Sequence, residues 1–209
     1  MSDTLDAIAI GRIIAIVRLE RYDRAVEVAR ALFAGGITAV EFTLTGAGAH
    51  QAIAACRAAL GGAAQVGVGT VLRREEARAA IDAGAQFVVT PAVRPEVVNA
   101  CRERGVPVLC GALTPTEALA AHEAGAAMVK IFPARAFGPQ YIRDILAPLP
   151  FLRLVPTGGV SAENARAYLQ AGAAAVGIGG NLVAPQVVAA GDWGQITAAA
   201  QMCAAAVRG

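Results

Sequence analysis

One local pattern recurs along this chain and limits what it can fold into. A helix end, a glycine and the start of an apolar run follow one another at Ala34-Gly-Gly-Ile37, Ala83-Gly-Ala85, Arg104-Gly-Val106, Ala124-Gly-Ala126 and Ala171-Gly-Ala173. Glycine supplies the left-handed turn that stops a helix and hands the chain to the next element. Between these hinges, short runs rich in Val and Ile alternate with longer segments of helical spacing. Strands are expected at 13–18, 39–44, 65–71, 87–91, 107–111, 128–134, 153–159 and 174–180. Several are almost continuously apolar, as strands covered on both faces are.

Helices are expected at 21–34, 48–60, 73–83, 95–104, 116–124, 139–146 and 162–171. Glu75, Glu76, Glu117 and Glu163 fall in first turns, where negative charge suits the helix dipole, and Pro95, Pro115 and Pro139 stand near helix starts. A short helix is expected at 2–11 and a last outer helix at 192–207. About eight strand–helix units in roughly 200 residues give a single-domain (β/α)8 barrel over 1–209. A doubly wound sheet is the alternative.

Composition narrows the function. The chain is 56% hydrophobic and 16% charged, which suits a packed core and not disorder. A net charge of +2, scattered arginines and 5% aromatic residues provide neither a basic stripe nor a stacking platform, so no nucleic-acid partner is expected. The four cysteines form no CxxC pair, and the two histidines, His50 and His122, lack metal-ligand spacing. Free thiols in a reducing cytosol and no metal are expected. The uncharged stretch 167–191 contains five glycines with Gln170, Asn181, Pro185 and Gln186, and reads as helix end, strand and loop, not as a membrane span.

In such a barrel, chemistry collects at the C-terminal ends of the strands. Lys130 is the chain's only lysine and lies between Val129 and Ile131 in an apolar run. An ammonium buried there either keeps a partner or gives up its proton, and a free amine in a pocket forms Schiff bases with carbonyls. A lysine snorkelling to the strand end is the structural alternative. Glu41, among Ala39, Val40 and Phe42, is a carboxylate in an equally apolar run. It reads as a general acid/base or as an ion-pair partner of Lys130 or Arg18. Thr43 and Thr45 follow Glu41 at a period of two, hence on one face. Thr70 and Thr157 end two other strands, and Pro91 and Phe132 stand at the ends of two more. All are candidate substrate contacts. Gly158 and Gly159 end strand seven, and Gly179, Gly180 and Asn181 end strand eight, where barrels bind phosphate through backbone amides. Ser161 is a candidate N-cap for the helix that follows.

Five segments carry a family resemblance: Val40-Glu-Phe-Thr-Leu44, Val68-Gly-Thr-Val-Leu72, Val129-Lys-Ile-Phe-Pro-Ala134, Pro156-Thr-Gly-Gly-Val160 and Ile178-Gly-Gly-Asn-Leu-Val183. In this order they resemble the lysine-dependent aldolases of the 2-keto-3-deoxy-6-phosphogluconate (KDPG) and 4-hydroxy-2-oxoglutarate (KHG) family, from about Ile13 to Ala198. The resemblance implies a Schiff base on Lys130, proton transfer by Glu41, a contact of Thr70 with the pyruvate moiety, no cofactor, and a homotrimer. The implied reaction cleaves a phosphorylated 2-keto-3-deoxy sugar acid to pyruvate and glyceraldehyde 3-phosphate. KHG cleavage, an isomerase using Glu41 as base, and a silent barrel that binds a sugar phosphate are the alternatives.

Two features depart from the family pattern. Many relatives carry arginine where this chain has Thr45, and Arg18 is the candidate replacement for binding the carboxylate. The segment 136–142 resembles the phosphogalactonate branch, whereas Thr157 resembles the phosphogluconate branch. Both C4 epimers therefore stay open.

Overall fold

The computed structural model describes residues 3–208. Eight strands, β1 (Ile13–Val17), β2 (Ala39–Thr43), β3 (Gln65–Gly69), β4 (Val88–Val89), β5 (Val108–Ala112), β6 (Met128–Ile131), β7 (Leu154–Pro156) and β8 (Val176–Ile178), pair in parallel in the order β7-β6-β5-β4-β3-β2-β1-β8. The ring closes between β7 and β8 through a single bridge, Thr157 to Gly177. Any side chain at Gly177 would strike the Thr157 hydroxyl and Ile16, so the close approach that shuts the barrel requires glycine. The expected (β/α)8 barrel is present.

The helices are α1 (Asp3–Gly11), α2 (Ala25–Ala34), α3 (Ala49–Leu60), α4 (Arg74–Asp82), α5 (Pro95–Glu103), α6 (Pro115–Glu123), α7 (Gly138–Leu146), α8 (Ala165–Gln170), α9 (Pro185–Ala190) and α10 (Trp193–Arg208). Ser2, the expected first residue of α1, lies outside the described residues. Helix α9 was not expected. Pro185 opens it and left-handed Gly191 closes it, inside an uncharged stretch whose Gly, Pro and Asn residues read as loop. Ser161 is not an N-cap. Helix α8 begins only at Ala165, and Asn164 ties the turn by accepting from the Ser161 amide (2.9 Å) and donating to Gly159 O (2.9 Å).

Several strands stop earlier than expected. The 87–91 run contributes only Val88–Val89, 128–134 ends at Ile131, and 153–159 shortens to Leu154–Pro156. Pro91 and Pro133 cannot donate to a ladder, and Gly158 and Gly159 take φ of 87° and 85°. These ends leave the sheet and become the rim of the barrel.

Two apolar clusters divide the interior. The larger lies between sheet and helices and includes Val40, Phe42, Val129 and Ile131. The smaller fills the barrel itself, with Ile14, Ala39, Phe87, Leu109, Met128 and Val155. Side chains alternate along a strand, so Lys130 and Glu41, two places beyond Met128 and Ala39, point into the barrel above that apolar layer. The register places Glu41 between Ile16 and Gly67, and Lys130 between Gly111 and Val155.

Candidate active site

A cavity of about 550 Å³ opens at the C-terminal mouth, beside the weakly closed β7–β8 seam. Lys130 and Phe132 wall it from β6, Thr157 and the Gly158–Gly159 turn from β7, Gly179, Gly180 and Asn181 from β8, and Ile16 and Arg18 from β1. Lys130 is 5% exposed. Its Nζ lies 5.4 Å from the centre of the Phe132 ring, and Gly158 packs on that same ring. The ion pairs among the described residues, all at the surface, do not include Lys130. The apolar layer beneath it comes from alternate positions of the same strands, which explains how one charged side chain sits in an otherwise apolar run.

Glu41 is 2% exposed, and its Oε1 has no hydrogen-bond partner. Gly69 lies against this carboxyl so closely that a Cβ there would collide with it. Burial pushes the Glu41 carboxyl above the ordinary carboxylate range, and the nearby positive charges of Lys130 and Arg18 offset only part of that shift. The carboxyl therefore holds its proton at a higher pH than an exposed glutamate. A polar group left unpaired inside a protein costs about 1–3 kcal/mol, so this arrangement is hard to explain as packing alone.

The other expected contacts are differently placed. Thr43 is buried, and its hydroxyl bonds Tyr22 Oη (3.0 Å) and Thr45 Oγ1 (2.7 Å). Thr45 is exposed and borders a neighbouring groove that it shares with Arg18. Neither threonine walls the cavity, and nor do Thr70 and Pro91. Thr70 has φ 61°, a left-handed conformation that a β-branched residue adopts only under constraint from its surroundings. Pro91 backs onto Gly111 on β5. Among the described residues, the amides of Gly159, Gly180 and Asn181 donate to no protein acceptor.

Arg135, absent from the sequence-based set, also walls the cavity. Its signal was weak, because a lone arginine in a loop after Pro133 has the character of ordinary surface. The four cysteines are buried, and burial raises the thiols of Cys56 and Cys101 to about 12, so both stay protonated and inert. No group of three or more His, Cys, Asp or Glu side chains among the described residues is arranged to hold a metal ion. No helix among them is long and apolar enough to cross a membrane.

A parallel barrel with a buried lysine at its C-terminal mouth and, close by, a buried carboxylate with one unpaired oxygen has the architecture of a class I, Schiff-base aldolase. Residues 5–199 match the family model "KDPG and KHG aldolase", and the chain belongs to that family. It is 41% identical over 203 residues to the 2-dehydro-3-deoxy-phosphogluconate aldolase of Treponema pallidum, covering 96% of each chain. It is 40% identical over 171 residues to the 2-dehydro-3-deoxy-6-phosphogalactonate aldolase of Escherichia coli K12, covering 81% of this chain and 83% of that one. The structure also resembles the KDPG aldolase of Legionella pneumophila, solved with pyruvate captured as a covalent carbinolamine (TM-score 0.87, 28% identity, covering 96% of this chain and 97% of that one).

Proposed function

We propose that this aldolase cleaves 2-keto-3-deoxy-6-phosphogluconate, or its galacto epimer, to pyruvate and glyceraldehyde 3-phosphate, with Lys130 as the nucleophile and Glu41 as the proton carrier. The observation that carries this reading is a buried lysine on the cavity wall, in no ion pair among the described residues, with a buried carboxylate behind that wall, close enough to feel the lysine's charge and with one oxygen unsatisfied. Lys130 Nζ, as the free amine, attacks the C2 ketone to give a carbinolamine. Loss of water leaves an iminium ion, an electron sink. Glu41 takes the proton of the C4 hydroxyl, the C3–C4 bond breaks, and its electron pair passes into the iminium as an enamine. Glyceraldehyde 3-phosphate leaves. Glu41 returns its proton to C3, and water hydrolyses the iminium to pyruvate and free Lys130. A carboxyl whose proton affinity is raised by burial suits both halves of this transfer.

Arg18 binds the substrate carboxylate in place of an arginine at position 45. Its support is its place at the cavity edge and in the groove that Thr45 borders. The unpaired amides of Gly159, Gly180 and Asn181, with those of Gly158 and Gly179, hold the phosphate. Phe132 and Thr157 flank the reacting carbons; Thr70, behind the cavity wall, acts on the pyruvate side as the family resemblance implies, and Pro91 is a further substrate contact. The protein works in the cytoplasm as a homotrimer, a reading that rests on the family resemblance and on exposed apolar side chains such as Phe137 and Leu72.

Borohydride reduction in the presence of pyruvate tests the central step. The expected product is a single reduced pyruvate adduct, mapped by mass spectrometry to Lys130, with loss of activity. An unmodified Lys130 in an inactivated or active sample overturns the Schiff-base assignment.

A further inference from the structure

Among the described residues, three basic ones, Lys130, Arg18 and Arg135, line the cavity, and no acidic residue does. Lys130 is occupied by the ketone in the reading above, and Arg18 by the carboxylate. Arg135 remains. It stands on the β6 side of the mouth, across the β7 and β8 loops from Arg18 on β1. Its amide donates to Gly158 O (2.9 Å), and its Cβ packs directly on Gly159. The stem is thus fixed against the glycine turn, while the residue is exposed and takes part in no ion pair among the described residues. An arginine so placed either serves as surface or faces an anion held on that turn.

We propose that Arg135 is a specificity-determining residue, whose guanidinium pairs with the substrate phosphate over the Gly158–Gly159 turn. The inference rests on the phosphate reading above and deepens it. Backbone amides carry only partial positive charge, so a full charge beside them adds to the preference for a phosphate dianion over a neutral hydroxyl. A planar guanidinium supplies charge and a two-pronged geometry matched to phosphate. The two arginines then divide the substrate: Arg18 reads the carboxylate common to all 2-keto acids, and Arg135 reads the phosphate.

The test compares the phosphorylated 2-keto-3-deoxy acid with the same acid lacking its phosphate, in wild type, Arg135→Ala and Arg135→Lys. Arg135→Ala keeps the Cβ that packs on Gly159, so the turn is preserved. KM for the phosphorylated acid should rise about tenfold, with kcat little changed and the unphosphorylated acid affected less than about twofold. Arg135→Lys should recover part of the loss. Inorganic phosphate should compete with the unphosphorylated acid in wild type and more weakly in Arg135→Ala, and added salt should shrink the difference. If wild type prefers the phosphorylated acid and Arg135→Ala keeps that preference in full, the amides suffice and the role of Arg135 is overturned. If wild type shows no preference and no competition by phosphate, the phosphate site itself falls, and Arg135's role with it.

Discussion

The two ends of the barrel both carry buried or half-buried polar side chains, but they treat them differently. At the N-terminal end, Thr4 donates to Gln65 Oε1 (2.8 Å), and Gln86 Nε2 donates to the same oxygen (2.9 Å). Gln86 Oε1 in turn accepts from the Val66 amide (2.9 Å) and from Arg57 (2.8 Å). None of these side chains leaves a buried polar atom without a partner, and the network ties α1, α3, β3 and the loop before β4 together. At the C-terminal end, Glu41 is more deeply buried than any of these, yet one of its oxygens is unpaired. Interiors leave few polar groups unsatisfied, and those that persist call for an explanation. The satisfied network explains architecture, whereas the unpaired Glu41 oxygen is the feature that the proposed proton transfer accounts for.

The largest effect that can break this contrast is at Glu41. Glu41→Gln keeps the shape and removes the transferable proton, so turnover should fall by about 10²–10⁴-fold. The sign for stability is opposite. Because burial raises the folded-state pKa of Glu41, the native protein binds its proton more tightly than the unfolded chain does. Its contribution is fully present below the unfolded pKa and is lost as pH rises through the raised folded pKa. The unfolding midpoint of Glu41→Gln relative to wild type should therefore climb over that window. Thermal melts and steady-state rates on the same samples measure both. A variant that loses stability at neutral pH, or keeps near wild-type turnover, makes Glu41 a structural residue.

The next effect sharpens the account of the mouth itself. Arg18→Met keeps the aliphatic stem and removes the charge. Because Arg18 is exposed to solvent, screening limits the loss to about tenfold in substrate KM. That loss should be equal for the phosphorylated and unphosphorylated 2-keto acids, since both carry the carboxylate. Thr45→Arg in the same background should recover part of it. A loss confined to phosphorylated substrate, seen in steady-state kinetics, would move Arg18 to the phosphate and leave the carboxylate to other groups.

Much of this arrangement was legible in the chain. Lys130 and Glu41 stood out because each interrupts an apolar run, and a two-residue period then fixed which way they point. The glycine pairs at 158–159 and 179–180 were legible because a closed barrel puts the ends of its strands at one mouth. What stayed hidden depends on contacts between distant parts of the chain. The hydroxyls of Thr43 and Thr45 meet each other, and that of Thr43 also meets Tyr22, whose position 21 residues before Thr43 nothing local reveals. The place of Arg135 depends on the β7 turn that packs on its stem, which nothing in its own segment reveals. The shortness of β4 and the presence of α9 were also hidden, since Val-Val-Thr-Pro reads as a longer strand and an uncharged Pro-Gln run as loop.

The smallest effect on activity, and the sharpest check on the satisfied end, is at Gln86. Gln86→Leu removes the acceptor used by the Val66 amide and by Arg57, and the donor to Gln65, in one substitution. Val66 is buried, so its amide is left without a partner. A buried amide so orphaned costs about 1–3 kcal/mol, and each kcal/mol lowers the midpoint of a domain this size by roughly 2–4 °C. Gln86→Glu loses the donor to Gln65 but keeps the acceptor that serves the Val66 amide and Arg57, and should lose less, because the new carboxylate faces Arg57. Turnover and KM should stay within about twofold of wild type in both variants, because the network lies beneath the apolar layer of Ile14, Leu109 and Met128, away from the mouth. Melting curves and steady-state kinetics decide it. If Gln86→Leu slows turnover as strongly as it lowers the midpoint, the two ends of the barrel are coupled through that layer. The division between a structural end and a chemical end would then fail.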